Sequence, residues 1–135
     1  MLLVMDIGNT NTVLGLYRDS ELLTHWRVRT EQEMTADEYA ILMQNLFSAR
    51  KIGFQEVACM AISCVVPPML GTVLDFSRRY LKLEPLVVGP GVRTGMPIFY
   101  DNPKEVGADR IVNAVAAYER YKTAVIVVDF GTATT

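Results

Sequence analysis

The sequence predicts an α/β fold, built on a mixed sheet of five strands with helices on both of its faces. Short apolar runs bounded by turn residues alternate with segments of helical spacing, which is typical of strands joined by helices. Short polar connections join the first three apolar runs, so we expect an antiparallel meander. Whole helices separate the later strands, so these strands should return parallel to one another.

The meander and the helix after it account for the first part of the chain. Its strands are expected at 2–5, 12–17 and 21–29. Thr35 and Glu38 then stand at the spacing of a capping box, which predicts the start of a helix. The helix should end at Gly53, and its apolar face comprises Tyr39, Leu42, Met43, Leu46 and Phe47.

Strands and helices alternate in the middle of the chain. The continuous apolar run at 57–63 predicts a strand buried on both faces. Pro67 and Pro68 suit a helix start, because proline at the first helical position loses no hydrogen bond, and a short strand is expected at 85–88. The inward stripe of that helix comprises Met69, Leu70, Val73, Leu74, Ser77, Tyr80 and Leu81.

The last third of the chain contains a long loop, a helix and one more strand. Glycines and prolines punctuate residues 89–104, and a loop of this length in a compact domain is more often functional than idle. The third helix should open over 105–110, and a strand at 125–128 should follow it. The apolar face of this helix comprises Ile111, Val112, Val115 and Tyr118.

Composition narrows the class of protein. Half of the 135 residues are hydrophobic and 21% are charged, which is an ordinary globular balance. A net charge of −2 gives no basic field for holding nucleic acid, so no nucleic-acid partner is expected. No apolar run reaches the roughly 20 residues of a membrane helix, and the N-terminus has no signal-peptide pattern. We therefore expect a cytoplasmic protein without a membrane partner.

One sequence motif occurs twice, and each copy follows an apolar strand. The first copy is Asp6-Ile7-Gly8-Asn9-Thr10-Asn11, and the second is the run from Asp129 to Thr135. We expect the glycine to turn with positive φ, so that backbone N–H groups and the Asn and Thr side chains converge on a phosphate. Asp6 beside a phosphate would then be a ligand of hydrated Mg²⁺. Ordinary hairpin turns are the alternative for one copy, but two copies favour the phosphate site.

A second candidate group lies at the start of the third predicted helix. Asp109 stands in the first turn, where the helix dipole and Arg110 favour an ionised carboxylate. Such a carboxylate could accept a proton from a hydroxyl that attacks a phosphoryl group. Helix capping is the alternative for Asp109. Tyr100 could simply pack in its loop, and Arg110 could pair with Glu105.

The cysteines and the single histidine are expected to have structural roles. Cys59 and Cys64 have no nearby histidine or further cysteine for a zinc site, and we interpret them as reduced, buried packing residues. His25 lies in a predicted strand and is interpreted as a structural or surface residue.

Four motifs together carry a resemblance to a known family. They are Asp6 to Val13, Tyr100 to Pro103, Gly107 to Arg110, and Asp129 to Thr135. In this order they resemble type III pantothenate kinase, an enzyme of the acetate/sugar kinase superfamily with a ribonuclease H-like, actin-like ATPase fold. The resemblance runs along the whole chain but covers only about the first half of such an enzyme.

The resemblance implies roles for individual residues. Asp6 would help to hold Mg²⁺, Asp109 would be the proton acceptor, and Asp129 would ligate a monovalent cation, potassium or ammonium. The substrate pantothenate would contact Tyr100, Gly107, Ala108, Asp109 and Arg110. The ATP phosphates would contact Asp6, Ile7, Gly8, Asn9, Thr10, Asn11, Thr12, Val13 and Thr132.

The same resemblance implies a homodimer that makes 4′-phosphopantothenate, the first committed step of coenzyme A synthesis. Residues 1–122 would form a first actin-like domain, and residues 123–135 would begin a second, similar domain. A complete single-domain dimer and a short natural form are the alternatives. For function, the alternatives are a non-catalytic regulator of the same fold and another small-molecule kinase or polyphosphate hydrolase of the superfamily.

Overall fold

A mixed five-stranded sheet forms the centre of the protein. The computed structural model describes residues 1–89, 91–131 and 134–135, apart from the side chain of Lys104. The strands are β1 (Leu2–Ile7), β2 (Asn11–Arg18), β3 (Glu21–Arg29), β4 (Cys59–Cys64) and β5 (Leu86–Val87). They lie in the order β3-β2-β1-β4-β5. The predicted meander is confirmed, since β1–β2 and β2–β3 are antiparallel, and β4 and β5 extend it in parallel.

One face of the sheet carries the hydrophobic core. Alternate residues of β1, among them Leu3, Met5 and Ile7, are buried there. Helices α1 (Ala36–Ser48) and α2 (Pro67–Phe76) cover this face. Phe47 stacks on Trp26 at 5.4 Å between ring centroids and meets Phe54 edge-on at 5.3 Å. Aromatic packing therefore joins α1 to the sheet and to the segment after it.

Local signals set the ends of α1, with one correction. The capping box is confirmed: the Glu38 N–H donates to Thr35 Oγ1 at 3.3 Å, and the Thr35 N–H donates to the Glu38 carboxylate at 2.8 Å. The helix ends at Ser48 and does not continue to Gly53. Lys51, with φ 58°, takes the left-handed position expected of the glycine.

Two expectations for α2 hold and one is wrong. The helix begins at Pro67, and Met69 and Val73 of its stripe are buried. A π-helical turn, Ser77–Leu81, prolongs it and widens the helical period. That change leaves Tyr80 exposed, where its hydroxyl donates to Asp37.

Helix α3 (Ala108–Tyr121) contacts β4 and lies on the opposite side of the sheet. Its buried residues Ala108 and Ile111 are not part of the core that α1 and α2 cover. The predicted placement of helices on both faces is thereby confirmed. Tyr118 of the predicted apolar face is exposed, because only the first turns of α3 meet the sheet.

The predicted strand at 125–128 is not a strand among the described residues. Val125 to Val128 are exposed and pair with no described neighbour, and a strand requires a partner for its N–H and C=O groups.

The cysteine prediction also needs correction, since Cys59 is exposed and Cys64 is partly buried, although both are free. His25 is on the surface as expected. Within the described ranges, no helix is long and apolar enough to cross a membrane.

Candidate functional site

The first copy of the motif, Asp6-Ile7-Gly8, forms the tight hairpin that joins β1 to β2. Ile7 pairs with Thr12, and the Gly8 N–H donates to the Asn11 carbonyl at 3.0 Å. The expected positive φ is wrong for Gly8. A Cβ at this position would lie 3.2 Å from the Asn11 carbonyl oxygen, so the glycine permits a close approach of two backbone segments.

Thr30 holds this hairpin from below. Its hydroxyl donates to the Gly8 carbonyl at 2.7 Å, and its N–H donates to the Thr10 carbonyl at 3.0 Å. The Thr12 hydroxyl lies 3.0 Å from the Thr30 hydroxyl. Because Thr30 has one hydroxyl proton and gives it to Gly8, Thr12 must be the donor in that pair. Both threonines are buried, so the loop conformation is fixed by the fold.

Asp109 lies at the N-terminus of α3, after the cap residue Gly107. Its carboxylate accepts the Arg110 N–H at 2.8 Å and folds back over Gly107, where a Cβ would collide with it. Val65, which follows β4, lies near the same position, with its Cγ1 3.7 Å from where that Cβ would be. The absence of a Cβ at Gly107 therefore leaves room for the Asp109 carboxylate, beside the residue that follows β4.

The ends of the second copy of the motif are also hydrogen-bonded to each other. The N–H of Asp129 donates to the Thr135 carbonyl at 2.7 Å, and the N–H of Thr135 donates back at 3.0 Å. The Asn113 side chain, on α3, donates to the Asp129 carboxylate at 3.2 Å. Asp129 is therefore held against α3, close to Asp109 on the same helix.

These segments surround an open cleft of about 780 Å³. It lies at the carboxyl ends of the parallel strands β1 and β4, which is where open α/β sheets bind ligands. The structure thus brings the three carboxylates Asp6, Asp109 and Asp129 together. The cleft is lined by Asp6, Gly8, Asn9, Thr10, Asn11, Val13, Arg27, Val65, Glu105, Gly107, Asp109, Arg110, Asp129, Phe130, Gly131 and Thr135.

Asp6 has the perturbed electrostatics expected of a site residue. Its side chain reaches solvent through the cleft, but the cleft walls remove part of its hydration. This desolvation raises the pKa of Asp6; the neighbouring Ser63 hydroxyl lowers that pKa, and the charges of Asp109 and Asp129 raise it further. The Ser63 oxygen itself is buried without a well-formed hydrogen bond to any described residue. An ionised Asp6 therefore favours a nearby cation.

Comparison with known proteins identifies the family. The family model for type III pantothenate kinase matches residues 2–135. The chain belongs to the type III pantothenate kinase family. Proteins named type III pantothenate kinase from Syntrophobacter fumaroxidans and Syntrophus aciditrophicus are 62% and 61% identical over all 135 residues. One from Citrifermentans bemidjiense is 58% identical over the same length.

The chain spans about half the length of the curated relatives it matches. It covers 52% of the Syntrophobacter protein and 53% of each of the other two. All four motifs that carried the resemblance fall inside the matched range. Three of them line the cleft of this family member: the first hairpin, the start of α3 and the loop at Asp129.

Several predicted site residues do not present their side chains to the cleft. Ile7 is in the core, Thr12 is buried against Thr30, and Ala108, the first residue of α3, is buried. Tyr100 is exposed in its loop and is absent from the cleft wall. Thr132 lies outside the described residues.

Other residues of the site were not predicted. Arg27 lines the cleft from β3, Thr30 fixes the hairpin, and Asn113 orients Asp129. Glu105 also lines the cleft, where it accepts a hydrogen bond from Asn102 at 2.7 Å; the surface pair with Arg110 is not formed. Asn113 follows Asp109 by four residues, so both lie on one face of the helix, and this spacing could have predicted that Asn113 lies near the site.

The donor set fits a divalent cation that is bound partly through its ligand. Asp6 is a desolvated carboxylate without a basic partner in the part of the chain that the structure describes. No cluster of three or more His, Cys, Asp or Glu side chains among those residues could hold an ion. Mg²⁺ commonly uses one or two carboxylates and completes its shell with water and phosphate oxygens. Asp6 suits that mode.

Proposed function

We propose that this protein transfers the terminal phosphoryl group of ATP to pantothenate, giving 4′-phosphopantothenate for coenzyme A synthesis in the cytoplasm. The observation that carries the proposal is the convergence of Asp6 and Asp109 on one cleft beside the braced hairpin. A phosphate-binding loop alone would indicate that a nucleotide binds, but not which substrate accepts the phosphoryl group. Family membership along residues 2–135 supports pantothenate as the acceptor.

Asp109 is proposed as the proton acceptor. The substrate hydroxyl oxygen attacks the terminal phosphorus, the bond from that phosphorus to the ADP oxygen breaks, and the hydroxyl proton passes to the Asp109 carboxylate. The bond from the Arg110 N–H, in the first turn of α3, orients that carboxylate. Phosphoryl transfer depends mainly on such alignment and on charge neutralisation.

The hairpin is proposed to hold the phosphates, with Asn9, Thr10 and Asn11 exposed at its tip and Thr132 contributing from the second loop. Asp6 would hold Mg²⁺, which when bound neutralises phosphate charge. Asp129 would hold potassium or ammonium, with its carboxylate oriented by Asn113.

Pantothenate is proposed to bind at Tyr100 and at the start of α3, through Gly107 to Arg110. We further propose that residues 1–122 form one actin-like domain, that residues 123–135 begin a second, and that the active protein is a homodimer. Lack of a partner for Val125 to Val128 among the described residues fits a segment that pairs elsewhere.

The test is a coupled assay of ADP release with pantothenate, with and without potassium, on the protein at its natural length. Potassium-stimulated turnover is expected. Asp109→Asn should lower kcat by about 10² to 10⁴-fold while nucleotide still binds. Asp75→Asn, at an exposed carboxylate on α2 away from the cleft, is the matched control.

Normal turnover of Asp109→Asn would remove the assigned base. Nucleotide binding without any turnover by the wild-type protein would favour the non-catalytic regulator. None of the present observations favours that alternative, because the matched relatives are named as kinases. The three carboxylates that the chemistry requires are also present.

A further inference from the structure

Arg27 is the basic residue on the hairpin side of the cleft. It lies on β3 and pairs with Val13 of β2, and Val13 pairs in turn with Asp6 of β1. Directly paired residues point to the same side of a sheet. Arg27, Val13 and Asp6 thus form a row across three strands, and all three line the cleft.

The length of an arginine side chain suits this row. Neighbouring strands are about 4.8 Å apart, so the backbone of Arg27 lies about 10 Å from that of Asp6. No ion pair joins the two side chains. Val13, which is short and apolar, lies between them. An anion beside the cation that Asp6 attracts would therefore lie within reach of the Arg27 guanidinium.

Arg27 has no ion-pair or hydrogen-bond partner among the described residues, unlike several other arginines. Arg29 contacts Glu31 at 3.7 Å, Arg78 contacts Glu84 at 2.7 Å, and Arg79 contacts Asp37 at 2.7 Å. A guanidinium that lines a cleft without a protein partner is available for a ligand.

The charge of the cleft calls for such a residue. Asp6, Asp109, Asp129 and Glu105 all line it, so a polyphosphate meets a negative field. Arg110 is the other arginine in the cleft wall, and it stands at the start of α3, on the side assigned to pantothenate. Arg27 is on the side of the phosphate loop.

We propose that Arg27 binds the β- and γ-phosphates of the nucleotide, from the side opposite Asp6. This inference rests on the proposed function, since it presupposes a nucleoside triphosphate in the cleft. Arginine donates two parallel N–H bonds to phosphate oxygens. It would therefore position the terminal phosphoryl group as well as offset its charge.

The test compares ligands that differ in phosphate content, on the protein at its natural length. Titrations of MgADP and adenosine are combined with KM values for ATP and pantothenate. Arg27→Gln should weaken MgADP binding and raise KM for ATP by roughly 10-fold or more. Adenosine affinity and KM for pantothenate should stay unchanged. Arg29→Gln is the matched control, because Arg29 lies two residues along the same strand but outside the cleft wall.

The outcomes separate this inference from the function it rests on. A wild-type protein that neither binds MgADP nor phosphorylates pantothenate overturns both. A wild-type protein that does both, with Arg27→Gln unchanged, overturns only the role of Arg27. Equal losses for MgADP and adenosine would overturn it as well, because the effect would not depend on phosphate. A rise confined to KM for pantothenate would assign Arg27 to the substrate carboxylate instead.

Arg27→Lys provides the second variant. Lysine keeps the charge and the apolar stem but loses the planar fork, so MgADP affinity should fall between those of wild type and Arg27→Gln. Should Arg27→Gln fail to fold, this variant decides the question, and an unchanged MgADP affinity would overturn the proposal.

Discussion

The two copies of the Asp-x-Gly motif have similar sequences and different structures. The first copy joins two strands that are paired along their length, and buried Thr30 fixes its backbone. The second copy follows Val125 to Val128, which are exposed and unpaired with any described residue. Its contacts among the described residues include the mutual bonds of Asp129 and Thr135, a bridge between Phe130 and Thr134, and the bond from the Asn113 side chain.

This difference shows that the motif determines which functional groups a loop carries, whereas the surrounding structure determines how rigidly the loop is held. A phosphate site costs least to fill when its donors are already in place. The first copy meets that condition through the sheet beneath it. The following predictions alter either the support of the first copy or the exposed segment of the second.

Removal of the aromatic support should have the largest effect. Phe47 is fully buried and contacts both Trp26 and Phe54. Phe47→Ala should reduce the free energy of unfolding by about 3–5 kcal/mol, measured by urea unfolding. Phe99→Ala is the matched control, since Phe99 is 94% exposed and should change stability by less than about 0.5 kcal/mol. Similar values for the two variants would contradict the packing described for the first region.

Removal of the hairpin support should have the next largest effect. Thr30→Val leaves the buried Thr12 hydroxyl and the Gly8 carbonyl without their partner, which should cost about 1–3 kcal/mol of unfolding free energy. It should also weaken MgADP binding. Thr30→Ser keeps the hydroxyl and should restore most of both.

Thr24→Val is the control for Thr30→Val. Thr24 is buried on β3, the strand that Thr30 directly follows, but its hydroxyl bonds to none of the described residues. Weakened MgADP binding by Thr24→Val, or wild-type binding by Thr30→Val, would show that the hairpin does not depend on this brace.

Local signals explain which parts of the fold were predictable. The capping box at Thr35 and the proline start of α2 depend only on neighbouring residues, and both were correct. The segment at 125–128 has the composition of a strand, but a strand also requires a partner. Apolar composition could not show whether the partner is present.

Register explains why Arg27 was missed. Pairing is regular from Arg18 opposite Glu21 to Tyr17 opposite Leu22, and then a bulge shifts it so that Leu16 faces Thr24. A one-residue shift moves every later side chain of the strand to the other face. Counting back from the turn would therefore have placed Trp26 beside Val13. Only the bulge brings Arg27 into the cleft.

The carboxylate at the hairpin should reduce stability slightly in the absence of ligand. Desolvation and the charges of Asp109 and Asp129 raise the pKa of Asp6. Folding therefore disfavours its ionised form, and this cost appears as pH rises from the unfolded pKa through the folded pKa. Asp6→Asn should be more stable than wild type at pH 7, by less than about 1 kcal/mol because the side chain is exposed.

Urea unfolding between pH 4 and 8 checks the sign of this effect. The two stability curves should converge as pH falls towards about 3.9, the ordinary pKa of aspartate. With MgATP present the order should reverse, because only the carboxylate can hold the cation. A less stable Asp6→Asn at pH 7 without ligand would mean that Asp6 has a stabilising partner.

The smallest effect is expected in the second region. Ile126 is 93% exposed, so Ile126→Ser in the 135-residue chain should change the free energy of unfolding by less than about 0.5 kcal/mol. If residues 125–128 become a buried strand in the protein at its natural length, the same change should cost about 2–5 kcal/mol there. Ile41→Ser is the control, since Ile41 is 63% exposed on α1 and should be neutral at both lengths. A large loss in the 135-residue chain would show that the segment packs without further sequence, and the contrast between the two copies would then disappear.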